Sequence, residues 1–142
     1  MAIRQLSVFL ENRPGKLASV TRVLAAEKIN LRAMSLAEAP DFGIVRLIPE
    51  NIDKAEKILK ERGFLVKQNH VVAAVIDDKP GALDYAVNLL AENGMNMEYM
   101  YAFLSPSKDH ACMVIRVDNN AEAEEILNKN GITLINEAQL GI

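Results

Sequence analysis

Two short loops contain the residues whose types and spacing suggest ligand chemistry. Residues 12–17 read Asn-Arg-Pro-Gly-Lys-Leu, and residues 78–83 read Asp-Lys-Pro-Gly-Ala-Leu. If a helix begins at each glycine, its first amides have no intrahelical acceptor and are available to a carboxylate. An oxygen of Asn12 or Asp78 could then accept a hydrogen bond from an ammonium group. A carboxylate and an ammonium group at that spacing describe a free α-amino acid.

The same loops also have a purely structural interpretation. Proline sets the φ angle at a helix start, glycine permits a tight turn, and Asn12 or Asp78 could cap the helix. Leu17 or Leu83 would then simply begin the apolar stripe that the helix buries. The residues of the loops alone leave both interpretations open.

The two loops belong to an internal repeat. Gly81 follows Gly15 by 66 residues (81 − 15), and the same offset carries residues 29–31, Ile-Asn-Leu, onto residues 95–97, Met-Asn-Met. Farther along the chain the offset changes slightly, at segments where loops are expected, which is where a duplicated fold tolerates length variation. We therefore predict two domains, residues 1–69 and residues 70–142.

Each copy shows the periodicity of a strand, a helix, two strands, a helix and a strand. This order predicts an α+β fold of two ferredoxin-like βαββαβ repeats, each with an antiparallel sheet and both helices on one face. Residues 41–43 and 105–109 are expected to form turns. The predicted strands are residues 3–10, 30–37, 44–48, 64–66, 71–76, 96–104, 112–117 and 132–135, and the predicted helices contain residues 17–24, 52–59, 83–90 and 123–127.

The junction between the copies is short. Residues 68–70, Gln-Asn-His, are the only polar break between the two units and include neither Gly nor Pro. A flexible linker is therefore excluded, and a side-by-side antiparallel sheet of both copies would hide two strand edges. An exchange of edge strands is the alternative, since the junction could also continue as one long strand.

These features together resemble the ACT domain, here in tandem over essentially the whole chain. The resemblance rests on the paired loops at residues 12–17 and 78–83, on the Asn-centred triplets at 29–31 and 95–97, and on the βαββαβ order. It implies a regulatory protein that binds a free amino acid at the interface between ACT-like domains and signals to an enzyme of amino-acid metabolism. Because two repeats use the length of this chain, it resembles the free-standing, allosteric members of the family, and we expect a homodimer.

The resemblance also implies which residues contact the ligand, namely the loop after the first strand and the start of the second strand of each copy. In the first copy these are Asn12, Gly15, Lys16, Leu17 and Asn30, and in the second copy Asp78, Gly81, Ala82, Leu83 and Asn96.

The two copies differ in charge at the candidate site. Asp77 and Asp78 of the second copy attract an ammonium group more strongly than neutral Asn12 does, and Ala82 leaves the helix start uncrowded where the first copy has Lys16. We expect Asp78 to be the stronger ammonium acceptor.

The predicted strand at residues 96–104 is apolar on both faces. Alternation places Met97, Tyr99, Tyr101 and Phe103 on one face and leaves residues 100, 102 and 104 on the other. The helices cover one face, and core packing, a subunit interface or a ligand pocket could cover the second.

Other function classes are poorly supported. The 16 Lys and Arg residues against 19 Asp and Glu residues give a net charge of −3, which argues against nucleic acid. No apolar run approaches the ~20 residues that span a bilayer, so we expect a cytoplasmic protein without a membrane partner. Cys112 is the single cysteine, and His110 beside it lacks the further ligands that a metal needs. No nucleophile or phosphate-binding motif occurs. The one carboxylate pair, Asp77-Asp78, is expected to point to opposite faces of a strand end, which does not suit a general acid/base dyad.

We accordingly predict a protein without catalysis, cofactor or metal. Two rival interpretations remain at the level of the sequence. In the first, the chain is an interaction module or regulatory subunit that binds no ligand and docks on a metabolic enzyme. In the second, it is a small enzyme on the same fold.

Overall fold

The computed structural model describes residues 2–103 and 108–142 and contains seven strands and five helices in those ranges. Residues 104–107, which include the end of a predicted strand and part of the predicted turn at 105–109, lie outside the described residues. The strands are β1 (Ile3–Glu11), β2 (Leu31–Glu38), β3 (Phe42–Pro49), β4 (Leu65–Asp77), β5 (Met97–Phe103), β6 (His110–Val117) and β7 (Thr133–Leu134). The helices are α1 (Lys16–Ala26), α2 (Ile52–Glu61), α3 (Ala82–Glu92), α4 (Asn120–Lys129) and α5 (Glu137–Leu140).

The chain forms two compact units. One contains Arg4–Asn69 with Gly141–Ile142, and the other contains His70–Leu140 with Met1–Ile3. They are called the first and second repeat below. None of the helices in the described part of the chain is long and apolar enough to cross a membrane.

Each repeat has the strand order of a ferredoxin-like sheet. In the first repeat the order is β4-β1-β3-β2, with β3 antiparallel to both β1 and β2. In the second repeat the order is β7-β4-β6-β5, with β6 antiparallel to both β4 and β5. The prediction of two antiparallel βαββαβ repeats is therefore confirmed.

Strand β4 belongs to both repeats, since Leu65–Asp77 is one strand of 13 residues. The polar residues at 68–70 do not interrupt it, so the separate strands predicted at 64–66 and 71–76 are wrong in this respect, and the junction continues as one long strand, as the alternative interpretation allowed. The polar groups of the junction have partners instead. The Asn69 side chain accepts a hydrogen bond from Ser7 Oγ at 3.0 Å, and the His70 carbonyl accepts one from Arg116 Nη1 at 2.7 Å.

The core of each repeat lies between the sheet and its helices. Leu6, Val8 and Leu10 alternate along β1 and pack with α1 and α2, so both helices cover the same face of the sheet. The corresponding core of the second repeat combines β4, β6, α3 and α4. Helix α1 buries Val20, Val23 and Leu24, which is the stripe that its spacing predicts.

The predicted face of Met97 in β5 is wrong. Met97 and Met100 both pack against the core of the second repeat, although strict alternation puts them on opposite faces. The register of β5 against β6 shifts between Met97 and Tyr99, and such a bulge reverses the face of every residue before it. Tyr101 and Phe103 lie on the opposite face and are partly buried.

Two leucines of the first repeat test this division into core and surface. Leu59 of α2 is 0% exposed, whereas Leu65 of β4 is 61% exposed. We expect Leu59→Ala to lower the free energy of unfolding by about 2–5 kcal/mol, because it removes apolar contacts and leaves a cavity. Leu65→Ala is the control and should change it by about 0.5 kcal/mol or less. Urea denaturation of both variants measures the difference, and equal losses would contradict the core assignment.

Candidate functional site

The two proline-glycine loops have the same backbone in both repeats. The N-cap residue is Gly15 for α1 and Gly81 for α3, with φ angles of 87° and 88°. This left-handed conformation is one that residues with a Cβ rarely adopt. No neighbouring atom lies within 4 Å of a Cβ placed on either glycine. Backbone conformation rather than lack of space is therefore the reason for glycine at both positions.

No side chain caps either helix, so the interpretation of Asn12 and Asp78 as caps is wrong. Both residues lie before the turn and bond through their backbone. The Asp78 amide donates to the Asp109 carbonyl at 2.8 Å, and the Asn12 amide donates to the Asp41 carbonyl at 3.5 Å. By contrast, the Asn119 side chain caps α4 in the usual way.

Uncapped helix starts leave backbone donors available. Among the residues that the structure describes, the amides of Leu83 and Asp84 have no acceptor at the start of α3. The amides of Leu17 and Ala18 are in the same state at the start of α1. Free first-turn amides attract anions, because their N–H groups and the helix dipole both favour negative charge.

A cleft of about 510 Å³ lies beside the start of α3 in the second repeat. We call it the α3 cleft. Its lining comes from the end of β4 (residues 75–77), the proline-glycine loop (residues 79–82), the turn before β7 with the first residue of β7 (residues 131–133), Tyr85 and His110. Its size is within the range of small-molecule sites.

Charged and apolar groups share the α3 cleft. An Asp77 carboxylate oxygen lies 3.4 Å from His110 Nε2, and the other lies 3.7 Å from Lys79 Nζ. The Tyr85 hydroxyl donates to the Asn130 carbonyl at 3.2 Å, which joins α3 to the end of α4. Apolar walls come from Val75, Ile76, Pro80 and Ile132. The cleft therefore offers a carboxylate and an ammonium group beside an apolar surface.

The first repeat has a counterpart of about 330 Å³ in the same place, the α1 cleft. It is lined by the end of β1, by the start of α1 and by residues 62–65. Lys16 stands where the second repeat has Ala82, and Arg62 stands where it has Asn130. The two clefts therefore share a backbone but differ in charge.

The predicted site residues are only partly brought together. Gly81 and Ala82 line the α3 cleft, and Lys16 lines the α1 cleft. The structure leaves the other loop residues beside these clefts rather than in their linings, namely Asn12, Gly15, Leu17, Asp78 and Leu83.

The asparagines of the second strands lie at the far end of each sheet. The Asn30 side chain donates to Glu50 Oε1 at 3.3 Å, beside the Leu31–Pro49 pair. The loop at Asn12 adjoins Asp41 and the opposite end of β3. Since β3 has 8 residues, at ~3.3 Å per residue the two ends are roughly 23 Å apart. One repeat by itself thus does not join Asn30, or its counterpart Asn96, to the loop.

The sequence predicts neither His110 nor Tyr85 as a residue of the amino-acid site, and it indicates Asp77 only together with Asp78, as a source of negative charge. Asp77 is adjacent to Asp78, and the end of β4 at Asp77 decides which of the two reaches the cleft. Asp77 pairs with His110 in the antiparallel sheet. Predicting this pair from the sequence would require the register of β4 against β6. Tyr85 could have been found from its place one helical turn after Gly81.

Metal chemistry has no support in the described residues. They contain no group of three or more His, Cys, Asp or Glu residues that could hold a metal ion. Cys112 is buried and has a free thiol, whereas His110 is exposed and faces Asp77.

Comparison with known proteins decides the family. A family model described as an ACT domain pair matches residues 1–142. The chain belongs to the ACT domain family. No curated protein matches it significantly.

Solved structures with this tandem ACT fold include protein BT0572 from Bacteroides thetaiotaomicron. That structure is 41% identical, has a TM-score of 0.92, and is matched over 99% of this chain and 96% of that chain. The ligand-free regulatory subunit of aspartate kinase from Thermus thermophilus is 16% identical, with a TM-score of 0.65 over 90% and 92% of the two chains. The corresponding subunit from Thermus flavus is 14% identical, with a TM-score of 0.64 over 89% and 90%. At such low identity the two Thermus subunits show a common ACT fold.

The glycine N-cap of α3 gives a test of the loop. We expect Gly81→Ala to lower the free energy of unfolding by about 1 kcal/mol, because alanine is strained at positive φ. Asp78→Ala is the control and should change it by less than about 0.5 kcal/mol, since Asp78 does not cap the helix. Thermal unfolding by circular dichroism compares the two. A loss of about 1 kcal/mol in Asp78→Ala would restore the capping interpretation.

Proposed function

We propose that the protein binds a free α-amino acid in the α3 cleft and transmits its presence to an enzyme of amino-acid metabolism, without catalysis of its own. One observation carries this proposal. The α3 cleft combines the Asp77 carboxylate, the Lys79 ammonium group and an uncapped helix start with apolar walls, in about 510 Å³.

Each part of an α-amino acid has a complementary group in this cleft. The ligand ammonium group binds Asp77 in a charge-assisted hydrogen bond. The ligand carboxylate binds at the first turn of α3, where amides are free and Lys79 supplies a positive charge. Asp77 and Lys79 now form an ion pair with each other at 3.7 Å. In the complex, the ammonium group of the zwitterion would pair with Asp77 and its carboxylate with Lys79.

The apolar walls favour an apolar or aromatic side chain over a charged one. Val75, Ile76, Pro80 and Ile132 form these walls, together with the ring of Tyr85. None of the β5 methionines or tyrosines is among the described lining residues, so this preference rests on β4, the loop and the turn before β7.

Membership of the ACT family supports a regulatory function. The regulatory subunits of aspartate kinase have the same fold, and they are components of an enzyme of amino-acid metabolism by name. An affinity of ~1 μM to 1 mM, about −8 to −4 kcal/mol, would suffice for sensing a metabolite.

Thermal-shift screening against the twenty amino acids tests ligand binding. We expect one chemical class, the apolar or aromatic amino acids, to raise the melting temperature, because a ligand that binds only the folded state stabilises it. Calorimetry then measures the affinity for the best ligand.

Single-residue variants locate the binding site. Asp77→Asn should weaken binding about tenfold or more, because it removes the charge that pairs with the ligand ammonium group. Glu11→Gln, at the corresponding place in the α1 cleft, is the matched control and should have little effect. Asp78→Asn separates the two neighbouring carboxylates, and a larger loss there would show that Asp78 is the ammonium acceptor.

Ala82→Lys places in the α3 cleft the lysine that occupies the α1 cleft. We expect it to abolish amino-acid binding without unfolding the protein, because the longer side chain fills the space beside the start of α3. Calorimetry with the ligand found in the screen measures the loss. Undiminished binding by Ala82→Lys would place the amino acid outside the α3 cleft.

A protein-docking module is the second candidate, and an exposed apolar patch favours it. Met34 and Leu36 share one face of β2 and are 44% and 54% exposed. They lie on β2, the strand at the edge of the first repeat. If no amino acid shifts the melting temperature, docking through this patch becomes the better account.

A further inference from the structure

We propose that the first repeat has a ligand site of its own, which binds a small metabolite with two or more phosphate or carboxylate groups. The site is a groove along α1 whose positive charges come from Lys16, Arg22 and Arg62. It is separate from the amino-acid site proposed for the second repeat.

Two adjoining clefts form this groove. The α1 cleft of about 330 Å³ contains Lys16, and a neighbouring cleft of about 500 Å³ contains Arg22. Ser19, Arg62 and Phe64 line both clefts and so connect them. The three cations therefore surround one concave surface, rather than projecting separately into water from a convex one.

The cations of the groove have no counter-ion among the described residues. The side chains of Lys16, Arg22 and Arg62 make no hydrogen bond and no ion pair there. The described linings of the two clefts contain one carboxylate, that of Glu11, and Arg13 Nε lies 2.8 Å from it. Several other cations of the first repeat have acidic partners, as the pairs Arg4–Asp53, Arg32–Glu50, Lys54–Glu27 and Lys60–Glu56 show, whereas Lys57 of α2 is exposed and unpaired among the described residues.

The duplicated fold does not require these charges. The second repeat has Ala82, Asn88 and Asn130 at the positions of Lys16, Arg22 and Arg62. The groove between α3 and α4 contains Glu92, Glu122 and Glu125 instead. The same backbone is thus stable with neutral residues, and the positive charge is a property of the first repeat alone.

The groove indicates the chemistry of its ligand. Two guanidinium groups present planar pairs of donors that match phosphate and carboxylate oxygens. Phe64, Val23 and Ala26 give the groove an apolar wall. A compact metabolite with an organic body and several anionic groups fits this combination, because it satisfies the unpaired cations and covers the apolar wall.

Calorimetry with inorganic pyrophosphate and with citrate tests the site, one probe for each kind of anionic group. We expect at least one probe to bind, and its affinity to fall as salt concentration rises. Arg62→Asn and Arg22→Asn, which install the residues of the second repeat, should each weaken binding about tenfold, the effect of losing one charge-assisted hydrogen bond. Lys57→Ala is the control, since it removes an exposed and unpaired charge from α2 of the same repeat.

Three results would overturn the proposal. Equal weakening in Lys57→Ala would show attraction to overall charge rather than to the groove. Unchanged binding in both arginine variants would place the anion elsewhere. If neither probe binds, the groove is not an anion site, and self-association in sedimentation that Arg62→Asn abolishes would assign it to contact with the acidic groove of a second copy. Asp77→Asn should leave anion binding unchanged. The proposal for the groove and the proposal for the amino-acid site can therefore fail independently of each other.

Discussion

The left-handed glycine that joins strand to helix is the constraint on which each repeat depends. At Gly15 and Gly81 the chain turns from β1 into α1 and from β4 into α3 with a positive φ. This turn brings the helix start beside the end of the strand. Because the N-cap residue is glycine, it has no side chain that could cap the helix, and the first amides stay available. A structural requirement of the backbone thereby creates a site for an anion.

Duplication has placed that same backbone twice in one chain, with different chemistry on each copy. The α3 cleft contains a carboxylate, an ammonium group and a tyrosine hydroxyl. The α1 cleft has the Glu11 carboxylate at the position of Asp77, together with a lysine and an arginine that the α3 cleft lacks at the corresponding positions. The cores differ much less, since each repeat buries aliphatic side chains at corresponding positions of its sheet and helices. Packing constrains buried positions in a way that does not apply to the cleft linings, so the linings are free to diverge.

Departures from the predicted pattern have local physical causes. A bulge between Met97 and Tyr99 carries Met97 to the core face, and no alternation rule signals where an extra residue will enter a strand. The junction at 68–70 stays in one strand because its polar groups find partners such as Ser7 and Arg116, which are distant in sequence. The glycine N-caps could be expected from the Pro-Gly pairs, but only the hydrogen bonds at the two helix starts show that Asn12 and Asp78 do not cap.

Sequence alone was sufficient for the repeat, the βαββαβ order, the core stripes and the family, because these depend on periodicity and on short motifs within each copy. Of the loop residues that it singled out, the structure places Gly81, Ala82 and Lys16 in cleft linings. Only the tertiary structure decided that Asp77 rather than Asp78 lines the α3 cleft, that His110 faces it, and that Asn30 and Asn96 lie at the far ends of their sheets. Those facts follow from strand register, and register depends on pairing between residues far apart in the chain.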